Sequence, residues 1–177
     1  MPSPLRLRHA LPVLLAAAGM ISPACGETLK NWFNDPFIQV RSAVADCPQP
    51  LGPLASEEEM RKETHWRSER GTTCWLAGKC DKSNSYLYDA PIARSVQTHF
   101  ATEPGFARNS SLWLTFQRRF VWIEGCSADP AVDAAALETF VRAEPDIERV
   151  IVNLRIAGDS KPPYPLAPNA MPLPPPK

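Results

Sequence analysis

The sequence predicts an α+β protein: a mostly helical, disulfide-linked extension over residues 27–88, an αββαβ module over 89–157, and a proline-rich disordered tail over 158–177. Three observations carry that reading. Apolar residues recur about every fourth position in two stretches, the period of helices with one buried stripe. In three other stretches they alternate, the period of half-buried strands. Proline takes 8 of the last 17 positions, where it removes the donors that a helix or a ladder needs.

The N-terminus precedes this pattern. Arg6, Arg8 and His9 lead into the apolar run Ala10 to Ile21, followed by Ser22, Pro23 and Ala24. That is the layout of a signal peptide over residues 1–24, and its 12-residue run falls short of the roughly 20 needed to span a bilayer. Small residues permit cleavage before Cys25 or before Glu27. Cys25 would also open a lipoprotein, but Ser22 stands where such signals usually carry Leu, so a soluble periplasmic product is expected. Removing residues 1–24 takes Arg6 and Arg8 from the 19 basic residues, leaving 17 against 19 acidic, net −2. No basic excess points to nucleic acid.

In the extension, Asp35 before Pro36 reads as a helix start, with Phe37, Val40, Arg41 and Val44 at helical spacing, which predicts a helix over about 35–45. The prolines of 48–53 end it. Ser56 with Glu59 is a capping box that opens a second helix, expected to run to about Arg70 and stop at Gly71. Its face is polar, with Met60 and Trp66 the main apolar candidates. Thr72 to Leu76 has the β-branched and aromatic character of a short strand, and Asp81 to Ser85 reads as a loop.

Cys47, Cys74, Cys80 and Cys126 make an even set in an exported chain, so two disulfides are expected. Four cysteines allow three connectivities. The short loop favours Cys74 with Cys80, leaving Cys47 with Cys126, although spacing alone does not choose. A zinc site from His65, Cys74 and Cys80 is disfavoured, because Cys-x5-Cys is wider than the usual spacing and no second close pair follows.

The module shows the clearest periodicity. Asp89 reads as the cap of a helix over about 90–101 with Ile92, Val96 and Phe100 on one stripe. Leu112, Leu114 and Phe116 alternate with Trp113 and Thr115; a reversal at Gln117, Arg118 and Arg119 returns the chain as the strand Phe120 to Gly125. Asp129 and Pro130 read as the start of a helix bearing Val132, Ala136, Leu137, Phe140 and Val141. Val150, Val152, Leu154 and Ile156 then face one way, Ile151, Asn153 and Arg155 the other. Gly125 is expected to give room for a helix packed across the sheet.

The run Asp89-x-x-Ile92-x-x-x-Val96-x-x-x-Phe100, then Val121-x-Ile123-x-Gly125, a helix, and Ile147-x-x-Val150-x-Val152-x-Leu154-x-Ile156 resembles the BON domain of bacterial envelope proteins over residues 89–157. The resemblance implies a lipid-binding or envelope-attachment role with no known chemistry. The sequence carries no GxSxG elbow, HExxH, phosphate-binding glycine loop or paired CxxC cluster, so neither an enzyme nor a cofactor is expected. Trp113, Trp122, Arg118 and Arg119 are the expected binding residues. The alternation turns both tryptophans away from the core face, and rings beside guanidinium groups suit a membrane interface; the alternative is that residues 27–88 dock on and cover them. The expected partner is a phospholipid surface or an envelope protein, the protein otherwise serving as an accessory subunit of an envelope or secretion complex.

Overall fold

Two runs of alternating apolar residues pair as expected. Ser110–Gln117 (β2) and Phe120–Ser127 (β3) form an antiparallel hairpin in which Leu114 faces Ile123 and Phe116 faces Val121. Arg149–Ile156 (β4) adds to β3 in parallel, placing Val150 beside Val121 and Val152 beside Ile123. Phe37–Ser42 (β1) pairs antiparallel with β2, completing a mixed sheet in the order β1-β2-β3-β4. The computed structural model describes residues 28–157, 159 and 161–170; the signal segment, both cleavage positions, Cys25 and residues 171–177 lie outside the described residues.

Among the described residues four helices join the sheet: Glu57–Glu69 (α1), Thr72–Leu76 (α2), Asp89–Thr102 (α3) and Ala134–Arg142 (α4), with a 3-10 turn at Ser85–Tyr88 before α3. α3 and α4 turn Ile92, Val96, Phe100, Leu137 and Val141 onto Leu112, Leu114, Phe116, Val121, Ile123 and Val150, which form one buried core. Ile38 and Val40 of β1 and Val152 and Leu154 of β4 pack at its border. None of the described helices is long and apolar enough to cross a membrane.

Several expectations are corrected. Residues 37–42 form a strand paired with β2 and not a helix; a bulge between Gln39 and Arg41 breaks the alternation, so Phe37, Val40, Arg41 and Val44 fall three or four apart and imitate a helix. The bulge turns Arg41 to the helical side. There its guanidinium donates to the carbonyl oxygens of Phe100 and Glu103 at the end of α3. Asp35 caps no helix; its carboxylate is buried in an ion pair with Arg67, the one buried residue of α1. Thr72–Leu76 is helical, since Gly71, at φ 89°, turns the chain and the Cys74–Cys80 bridge must return it within six residues.

Asp129 bonds the Ala131 amide as a turn, and α4 is capped four residues later by Asp133. Asp89 lies inside the first turn of α3, whose cap position is Tyr88, and its side chain serves the β2–β3 turn instead. Gly125 makes room for a strand rather than a helix: a Cβ there would lie 2.0 Å from the Ser111 carbonyl oxygen of β2.

Both disulfides are formed, Cys47–Cys126 and Cys74–Cys80, as befits an oxidising, non-cytoplasmic compartment. The described part of the tail is ordered against the domain. Pro165 accepts from the Leu51 amide at 2.8 Å and Ala167 donates to Gln49 at 3.1 Å, while Tyr164 is buried with its hydroxyl donating to the Pro48 carbonyl at 3.1 Å. Proline removes donors but not acceptors, so a single non-proline amide on each strand suffices for this short pairing.

Candidate functional site

The sheet face away from α3 and α4 carries the residues singled out by alternation. Strand register sets them in rows across the sheet. Phe37, Thr115, Trp122 and Ile151 form one row, and Gln39, Trp113, Glu124 and Asn153 the next. Trp113 and Trp122 are therefore diagonal neighbours on one face, and both are half-buried. Glu124 beside them is buried. Loss of water raises its pKa above the ordinary carboxylate value, and a hydrogen bond to Asn153 pulls the other way. In the next row Cys126 anchors the disulfide to Cys47, on which Tyr164 of the tail is seated; burial pushes that phenol up to about 12.

Arg118 and Arg119 are not on this face as solvent-facing anchors. They occupy the two central positions of the β2–β3 turn at φ 55° and 69°, the left-handed pair of a type I′ hairpin, which normally takes Asn and Gly. The Asp89 carboxylate stabilises this turn by accepting from both amides at 2.7 Å, joining the hairpin to α3. The side chains are also committed: Arg118 pairs with Glu63 of α1 at 2.8 Å, and Arg119 donates from Nε to the Asp146 carbonyl at 2.6 Å. The structure brings the tryptophans together and sets the arginines apart as a joint between elements.

A second surface lies in the extension. Among the described residues the exposed large apolar side chains are Trp66 (64%), Trp75 (46%), Leu76 (73%), Tyr86 (41%) and Leu87 (41%), with only Leu166 outside residues 66–87. Polar bonds and a bridge, rather than an apolar core, hold this lobe. Tyr88 Oη accepts from the Asp81 and Lys82 amides at 3.0 Å, Asn84 donates to the Ser68 carbonyl at 2.6 Å, and the Ser85 amide donates to Arg70 at 2.9 Å. The sequence held a signal for it. Trp75-Leu76 and Tyr86-Leu87 are apolar pairs in segments too short to carry an apolar stripe of helical or strand period that would bury them.

Cys74 and Cys80 are bonded to each other, and among the described residues no group of three His, Cys, Asp or Glu is placed to hold a metal. His65 lies 3.4 Å from Glu69 on the exposed side of α1, with no third group attached. No family model, curated protein or solved structure matches this chain.

Proposed function

We propose that this is an exported, non-catalytic binding protein whose module is of the BON type, and that it contacts a phospholipid surface through residues 66–87. The observation that carries the reading is that five of the six exposed large apolar side chains among the described residues fall between Trp66 and Leu87, two of them inside the Cys74–Cys80 loop. Exposed patches of that kind mark interaction sites. Tryptophan and tyrosine suit the headgroup level of a bilayer, and Lys79 and Lys82 next to them suit its anionic charge. The order α3-β2-β3-α4-β4 supports the BON reading, and the apolar run at 10–21 with two disulfides supports export to the periplasm. Trp113 and Trp122, half-buried on the sheet, favour a second reading in which that face meets a protein of the envelope.

Flotation of the oxidised protein with phospholipid vesicles tests this. Trp75→Ala with Leu76→Ala is expected to reduce the bound fraction by tenfold or more, since each side chain contributes about 1 to 3 kcal/mol on burial. Trp113→Ala with Trp122→Ala leaves flotation unchanged. Failure of the native protein to float, with stable co-purification of an envelope protein that the Trp113 and Trp122 changes abolish, overturns the lipid reading in favour of the second.

A further inference from the structure

Where the lobe meets the β2–β3 turn and the start of β4 there is a cleft of about 440 Å³, within the size range of small-ligand sites. Arg70, Thr73, Lys82, Ser85, Arg119 and Glu148 line it. Of the three lining cations, Arg70 pairs with Glu148 and Arg119 lies 3.8 Å from Asp146, which leaves the positive charge of Lys82 in excess here, in a chain whose formal net charge is +0. The excess belongs to this site and not to the bulk of the molecule.

The donors there are only partly used. Arg70 gives Nη2 to Glu148 at 2.6 Å and stacks on Phe120 at 4.5 Å, but its buried Nε has no partner. Ser85 is buried with its hydroxyl unpartnered. A buried donor without an acceptor costs about 1 to 3 kcal/mol. Lys82 and Arg119 crowd one ring: Lys82 Nζ is 4.5 Å and the Arg119 guanidinium 4.9 Å from the centroid of Tyr88. Lys82 has no carboxylate partner among the described residues, and the nearest Asp146 oxygen to Arg119 Nη2 is 3.8 Å away. Two like charges around one ring repel, and an anion bound in the cleft that both line offsets the repulsion.

We propose that this cleft binds a phosphate ester. Arg70, Lys82 and Arg119 come from three segments, the end of α1, the loop after Cys80 and the β2–β3 turn, and three cationic donors suit a group with three peripheral acceptor oxygens and a charge near −2 better than a singly charged carboxylate. The site is built in advance. The Cys74–Cys80 bridge fixes one wall, the Tyr88 hydroxyl holds the Lys82 backbone, and Asp89 holds the turn that presents Arg119. Its chemistry is independent of the membrane reading, since the phosphate can belong to a soluble ester or to a lipid headgroup.

The test is calorimetric titration of the oxidised full chain with glycerol 3-phosphate, beside flotation on vesicles of phosphatidylcholine alone or with three-tenths phosphatidylglycerol. Saturable glycerol 3-phosphate binding is expected, weakened at least fivefold by Lys82→Gln, restored by Lys82→Arg and changed less than twofold by Lys62→Gln on the exposed face of α1. Thermal melts confirm that the variants are folded. Binding to the soluble ester without flotation keeps the cleft and removes the membrane reading. A Lys82-dependent preference for phosphatidylglycerol without soluble binding keeps the cleft and assigns its phosphate to lipid. Equal flotation on both vesicles, unaffected by Lys82→Gln and with no binding of the soluble ester, keeps the membrane reading and overturns the cleft; so does soluble binding that Lys82→Gln leaves intact.

Discussion

The sheet with α3 and α4 is held by one continuous apolar core, whereas the lobe of residues 57–88 is held by a capping box, side-chain bonds to backbone, cation–ring contacts and a six-residue disulfide loop. In α1 and α2 only Arg67 is buried, and in the 3-10 turn Ser85 and Tyr88, the latter joining the lobe to the core. The difference teaches how a small protein divides its apolar residues. Those of the module are spent inward on stability, while those of the lobe stay outward because polar groups and a covalent bond do the holding.

The two bridges give the largest expected contrast. Cys47–Cys126 closes 79 residues and Cys74–Cys80 closes six, so chain-entropy arguments give about 4 to 5 kcal/mol for the first and about 2 for the second. Denaturant unfolding of Cys47→Ala/Cys126→Ala and Cys74→Ala/Cys80→Ala measures both. Equal losses would show that the small loop organises far more than itself.

Side-chain truncation comes next. Leu114→Ala, in the centre of the core, is expected to cost about 3 to 4 kcal/mol through lost transfer and a cavity, and Leu76→Ala no more than about 0.5 kcal/mol. A loss above about 2 kcal/mol for Leu76→Ala, again read by denaturant unfolding, gives the lobe a core of its own and breaks the comparison.

The pH response is smaller and of opposite sign in the two regions. Burial, opposed by the amides of Arg119 and Arg118, pushes Asp89 from 3.8 up to about 6. Between those values the folded chain holds this proton more tightly than the unfolded chain. The stabilisation from Asp89 protonation is thus full below about 4 and lost as pH rises through about 6, by at most about 3 kcal/mol. In the lobe, hydrogen bonding to Lys62 lowers Glu58, and bonding to Ser56 lowers Glu59. Their contribution is present at neutral pH and lost as pH falls below the usual carboxylate range. Unfolding free energies from pH 4 to 7 for the native protein and Asp89→Asn should differ in slope between 4 and 6; parallel curves remove Asp89 as the source.

What the sequence made readable was whatever repeats. β2, β3, β4 and α3 follow from unbroken periods, and Ser56 with Glu59 placed the start of α1 because a capping box is a local chemical fact. β1 was hidden by one bulge, which shifts alternation into a spacing that helices share. α2 was hidden because Thr72, Thr73 and Trp75 favour strands, and only the bridge from Cys74 to Cys80 outweighs that preference. The face of Trp113 and Trp122 was readable from alternation, but how far each ring is covered depends on segments distant in sequence. The commitments of Arg118 to Glu63 and Arg119 to Asp146 are long-range pairings that no local pattern encodes.

The seat of Tyr164 on the larger disulfide has a kinetic consequence. Its hydroxyl lies 3.7 Å from Cys47 Sγ and 3.5 Å from Cys126 Sγ, and all three residues are buried. Thiol exchange needs an attacking sulfur to reach the bond. Tyr164 thus shields Cys47–Cys126 from an external reductant, while Cys74–Cys80, half-buried in the lobe, is the more accessible bond. The tail acts as a latch on one bond and leaves the other open to exchange.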